Sequence, residues 1–245
     1  MLAAVLLSAG VLLYQTAQAG TPLLVPVNLA TVQPPAAMVL HTIITSDGPG
    51  SWTREAFWDE YVVTLSNQGT QPLTIASAAL TDSAGTNHAP GARLKALAKE
   101  SRILEQECRD AGVTFVRNAG VRVVAAGGGV RLVGVSGGAL AAGAGLAAAA
   151  AAVPVPYEYI RKIDKSNNQN SIVAEFTRRC LALPLLLAPG EARVGSLFFP
   201  MVPNPRALSL RWSSGTSGGE LTLPLDSVHG FHVPAAAPAV NPPRP

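Results

Sequence analysis

The chain has 245 residues, of which 48% are hydrophobic and only 13% charged, about half the charge of an ordinary globular domain. Its 18 basic and 15 acidic side chains leave a formal net charge of +3, and no dense Lys/Arg stripe interleaves with aromatic residues, which excludes a nucleic-acid partner. Aromatic residues reach 5%, so Ala, Leu and Val supply most of a mean hydropathy of +0.28.

Residues 2–13 are almost unbroken apolar sequence, followed by polar Gln15, Thr16 and Gln18. Ala17-Gln18-Ala19 is the small-x-small pattern that a signal peptidase reads before Gly20. Residues 1–19 are therefore expected to be a signal peptide, which places the protein in a bacterial cell envelope, periplasmic or membrane-associated. No Lys or Arg precedes the apolar run. An uncleaved anchor is the other reading, but the run is short against the roughly 20 residues of a membrane span. A lipoprotein signal needs a cysteine after Leu7-Ser8-Ala9-Gly10, and Val11 stands there.

Residues 20–35 contain Pro and show no periodicity, so they are expected to form an irregular lead-in. Strand-type runs follow at 38–45, 60–66 and 73–80. The last two are separated by Asn67-Gln68-Gly69-Thr70, which is turn chemistry. Residues 82–90 are expected to be a loop. Leu94, Leu97, Ser101, Leu104 and Cys108 then recur at helical spacing, with Lys95, Lys99, Arg102, Glu105 and Arg109 around them, so 92–110 is expected to be an amphipathic helix. From Gly112 to Val153 the chain is rich in Gly and apolar residues. A second short helix is expected over 171–179, where Ile172 and Phe176 lie one turn apart. Strand signals return at 181–187, 193–199, 207–212 and 220–225, with a Pro189-Gly190 turn between the first two. Their spacing of about ten residues suits a sandwich better than βαβ units. Residues 234–245 form a Pro/Ala tail expected to be disordered.

The fold class expected is mainly β, with a β-sandwich built from residues 36–90 and 181–233. A helical, Gly/Ala-rich hairpin is inserted over 91–180. Such a body requires strands from the two β parts to pair with each other. Three stretches also carry a resemblance: Asp59-Glu60-Tyr61-Val62-Val63-Thr64-Leu65-Ser66-Asn67, then Leu187-Ala188-Pro189-Gly190-Glu191, then Gly195-Ser196-Leu197-Phe198-Phe199-Pro200 with Pro203, Pro205 and Leu208-Ser209-Leu210. Together they resemble uncharacterised bacterial exported proteins, often lipoproteins, with an immunoglobulin-like body and a glycine-rich insertion. The resemblance implies that architecture and no activity.

No charged residue occurs from 132 to 153, a stretch long enough to cross a bilayer as a helix. Gly134 and Gly138 have GxxxG spacing, and Gly143 continues the small-residue stripe, so close helix packing or self-association is expected there. A single crossing would put the two β parts on opposite sides of the membrane. A double crossing needs 113–130 as its first helix, which carries Arg117 and Arg122, and mid-bilayer Arg costs about 2.5–3.5 kcal/mol. The segment is therefore either a membrane-inserted or re-entrant hairpin, or an Ala/Gly helical excursion packed on the body or on an envelope partner. Cys108 and Cys180 flank it. They are either a disulfide, worth about 4 kcal/mol for a loop this long, or two buried thiols.

Catalytic candidates are few. Gly134-Val135-Ser136-Gly137-Gly138 matches G-x-S-x-G between β-prone and helix-prone sequence, the setting of a serine-hydrolase nucleophile. A triad would pair Ser136 with Asp164 and His229 or His232, and a patatin-like dyad would use Asp226. The flanking regions lack the alternating β and α elements that a hydrolase sheet demands. His229-Gly230-Phe231-His232 near Asp226 offers two imidazoles, too few for a metal site, and His41 and His88 stand alone. Gly127-Gly128-Gly129 lacks the Gly-Lys-Ser/Thr of a phosphate loop, so neither nucleotide nor cofactor is expected. Trp52, Phe57 and Trp58, near Arg54, Glu55 and Asp59, form either a binding edge or part of the core. The expected role is non-enzymatic, structural or interaction-based, with the insertion mediating membrane contact or self-association. The alternative is a lipase- or esterase-type serine hydrolase using Ser136, Asp226 and His229.

Overall fold

The computed structural model describes residues 26–45, 51–53, 56–115, 122–123, 131–132, 169–229 and 231–232. The N-terminal half supplies β1 (Pro26–Gln33), β2 (Ala36–Ile44), β3 (Asp59–Asn67), β4 (Leu73–Thr81) and β5 (Asn87–His88). The middle holds α1 (Leu94–Asp110), β6 (Arg122–Val123), β7 (Arg131–Leu132) and α2 (Gln169–Arg179). The last third forms β8 (Leu185–Leu187), β9 (Ala192–Phe199), β10 (Ala207–Ser214), β11 (Ser217–Pro224) and β12 (Val228–His229).

Ten of these strands make two five-stranded sheets, and β6 and β12 pair as a third. One has the order β7-β1-β2-β3-β9; the other runs β11-β10-β4, with β5 and β8 sharing the far edge of β4. The pairings that hold each sheet together join distant parts of the chain. β3 pairs antiparallel with β9 from Asp59↔Phe199 to Ser66↔Ala192, and β4 pairs antiparallel with β10 from Thr81↔Ala207 to Thr74↔Ser213. The chain crosses between the sheets from β3 to β4 and again from β9 to β10. The two β parts thus close on each other as a sandwich of these segments requires.

Leu29, Met38, Leu40, Tyr61, Val63 and Leu65 of the first sheet share one core with Leu73, Ile75, Leu80, Leu208, Leu210 and Leu223 of the second. The second sheet alternates buried and exposed positions, as a sheet with one wet face does. The first sheet differs, because β2 and β3 are buried at every position. Its outer face is covered by α1 and α2, where Trp52, Trp58, Leu97, Phe176 and Phe198 form a second cluster.

This double burial explains why β1 escaped the sequence pattern. The segment expected to be an irregular lead-in holds Leu29, Ala30, Thr31 and Val32, all buried, so it shows no period-two alternation. Asn28, at φ 45°, marks an irregularity in its pairing with β2. The 82–90 loop also contains a two-residue strand, β5, paired with Leu80 and Thr81. The middle segment needs a further correction. Beyond residue 115, both of its described pieces before α2 are strands: β6 pairs with β12, and β7 runs parallel to β1. Residues 113–130 are therefore not one continuous helix. The β-branched Val123 suits extended backbone there. Residues 133–153 lie outside the described residues. No described helix is long and apolar enough to cross a membrane.

Candidate functional site

Asp59 and Glu60 are consecutive residues at the start of β3, so their side chains leave the sheet on opposite faces. Each becomes the centre of a buried polar group. Glu60 points to the outer face, beneath α2. Its Oε1 accepts hydrogen bonds from Ser196 Oγ at 2.6 Å and Arg179 Nη1 at 3.2 Å, and its Oε2 accepts one from Trp52 Nε1 at 2.7 Å. The Arg179 side chain is 0% exposed and that of Glu60 2%.

α2 delivers Arg179 to this position because Phe176 and Arg179 fall on its buried face. Arg179 Nε donates to Glu175 Oε1 at 2.6 Å, one turn back, and the guanidinium lies 5.4 Å from the centre of the Trp52 ring. Arg178 grips the same carboxylate through Nε at 2.8 Å and Nη2 at 2.6 Å. These Arg178 bonds, aided by Arg179, hold the Glu175 carboxyl down to about 2. The network ties α2 to β3, β9 and the 51–53 segment at one point.

Asp59 points into the core. His232 Nε2 donates to its Oδ2 at 2.8 Å, and both side chains are 0% exposed. Phe115 stacks on the imidazole at 5.3 Å with an interplanar angle of 5°. Tyr61, two residues along on the same face, stacks on Phe231 and has its phenol pushed well above the usual range by burial and by the Asp59 charge. Among the described residues, Asp59 Oδ1 and the Tyr61 hydroxyl have no hydrogen-bond partner. A carboxylate that fixes an imidazole tautomer is half of a catalytic triad. Here the imidazole is enclosed on every side, so the pair acts as a clasp that pins the 231–232 segment to β3. No known family, curated protein or solved structure matches the chain.

Asp226 is exposed in the turn after β11, and His229 is placed by backbone pairing with Arg122 of β6. Ser136, Gly134, Gly138, Gly143 and Asp164 lie outside the described residues. His41 is buried against Thr64 Oγ1 at 2.7 Å, and burial lowers its pKa. His88 lies 3.1 Å from Asp82 and 3.6 Å from Glu100. No group of three or more His, Cys, Asp or Glu side chains is arranged to hold a metal among the described residues. Trp52 and Trp58 resolve toward the core, 3% and 7% exposed with ring centres 6.0 Å apart.

Cys108 and Cys180 are both free thiols. Burial pushes each thiol up, with Glu107 and Asp82 adding to the effect at Cys108. Cys180 and Leu94 pack against the same outer cluster, whereas Cys108 lies about 21 Å along the α1 axis from Leu94. Bridged cysteines need Cα atoms about 4.4–6.8 Å apart. Beside Cys180 an apolar cavity of about 300 Å³ opens between Gly91, Phe176, Leu181 and Phe198.

The Glu60–Arg179–Ser196 group was not singled out from sequence. Its available signal was small: Glu60 precedes an apolar strand run, and Arg179 falls one turn beyond Phe176 on a helix face otherwise made of Ile172 and Phe176.

Proposed function

We propose that the protein is a non-enzymatic component of the bacterial cell envelope, in which an immunoglobulin-like sandwich carries a Gly/Ala-rich segment that contacts the membrane. The observation that carries this reading is the anchoring of the middle segment. It runs out of the N-terminal β part through α1, touches the body again where β6 pairs with β12 and β7 with β1, and rejoins the C-terminal β part through α2, which the buried Glu60–Arg179 pair fixes to the outer face of the first sheet. The body therefore serves as a closed support, and the apolar 132–153 stretch belongs to the part it carries.

The strand order supports the immunoglobulin-like assignment. With β2, β3 and β9 taken as strands A, B and E, and β4, β10 and β11 as C, F and G, the sheets follow the A-B-E and C-F-G neighbour relations of that fold. Export is supported by the apolar 2–13 run and the Ala17-Gln18-Ala19 pattern. Fractionation of a bacterium expressing the full chain tests the assignment. The expected result is an envelope product whose first residue is Gly20; an unprocessed product in the cytosol overturns export.

A further inference from the structure

We propose that the solvent face of α1 is a docking surface for anionic lipid headgroups, which deepens the membrane-contact reading and rests on it. Leu97 and Ser101 face inward; Ser101 Oγ donates to the Phe57 carbonyl at 2.8 Å and accepts from the Met201 amide at 2.9 Å. Opposite them, Lys95, Lys99, Arg102 and Gln106 follow at spacings of four, three and four, which is one stripe of an α-helix. All four are exposed. They line a shallow groove of about 510 Å³ together with Ala98 and Ile103.

None of the helix's four acids, Glu100, Glu105, Glu107 and Asp110, lines this groove, although Asp110 continues the stripe one turn beyond Gln106. Glu105 pairs with Arg109 at 3.4 Å, Glu100 faces His88, and Asp110 accepts a hydrogen bond from Gln106. The Arg102 guanidinium lies 5.0 Å over the Phe57 ring, which holds its charge at the surface. The groove therefore presents three positive groups to whatever covers it. Ile103, 47% exposed beside them, selects among anionic partners. A soluble polyanion gains nothing from an exposed isoleucine, whereas a lipid interface takes up both the charge and the apolar side chain. α1 also leads directly into the segment that carries the 132–153 apolar stretch.

The test is co-sedimentation of the full chain with vesicles of neutral phosphatidylcholine and with vesicles containing 30 mol% phosphatidylglycerol, as about a third of the lipid. Wild type is compared with the K95Q/K99Q/R102Q variant and with K95R/K99R. Each basic side chain near an anionic surface is worth about fivefold in affinity, so the triple variant is expected to lose about 100-fold on anionic vesicles and nothing on neutral ones. K95R/K99R is expected to bind like wild type, and about 1 M salt is expected to abolish the anionic preference. Neutral-vesicle binding with no anionic preference overturns the α1 surface and leaves the membrane-contact reading standing. Binding to neither overturns both. An undiminished anionic preference in the triple variant, or equally tight binding of wild type to soluble polyphosphate, overturns the proposal.

Discussion

Arg179 and Glu60 are the residues on which the helical layer depends. A buried ion pair is weak evidence of net stability, but removing one member strands the other in a dry environment. Arg179→Ala is therefore expected to cost about 3–5 kcal/mol in urea denaturation, while the joint E60Q/R179M replacement is expected to recover part of that loss. A cost below about 1 kcal/mol would show that water reaches Glu60. Glu175 gives the pair a pH dependence. Its folded pKa of about 2 lies below the ordinary value of 4.5, so the stability it contributes is complete above pH 4.5 and is lost as pH falls toward 2. Glu175→Gln should flatten the fall in Tm across that window, and an unchanged profile would assign the acid sensitivity to other carboxylates. None of this was legible beforehand, since Glu60 and Arg179 are 119 positions apart and their meeting depends on tertiary structure.

Most elements could be read from sequence because their patterns are local. The two helices and the longer strands from 36 onward fall within a few residues of the expected spans. β1 could not be read, since a strand covered on both faces shows no alternation, and β5, β6 and β7 are too short to carry a pattern at all. Gly219 shows a constraint invisible in any periodicity. A Cβ there would stand 2.8 Å from Trp212 Cζ2, whose ring lies across the hairpin of β10 and β11. Gly219→Ala should destabilise the protein by about 1–3 kcal/mol in thermal unfolding; an unchanged Tm would mean that the ring moves aside at no cost. The separation of Cys108 and Cys180 along α1 makes its own prediction. Denatured, unreduced protein should take up two alkyl groups, and a need for prior reduction would place the cysteines together.

At the scale of the whole molecule, the separated β parts had to pair if they formed one body, and the β3–β9 and β4–β10 ladders do so. That much followed from strand spacing and turn chemistry. The candidate site did not, because a motif points to Ser136, Asp226 and His229, whereas burial singles out Asp59 with His232 and Glu60 with Arg179. In the proposed reading the same two networks make the body a support, one fixing α2 to the first sheet and the other fixing the 231–232 segment to β3. What the support carries is the central functional claim, and extraction of envelope membranes with alkaline carbonate tests it most directly. Carbonate strips proteins held by surface charge alone, so a contact made only through α1 would be released. Retention of the full chain in the pellet is the result predicted for a segment inserted in the bilayer, and complete release into the supernatant would contradict it.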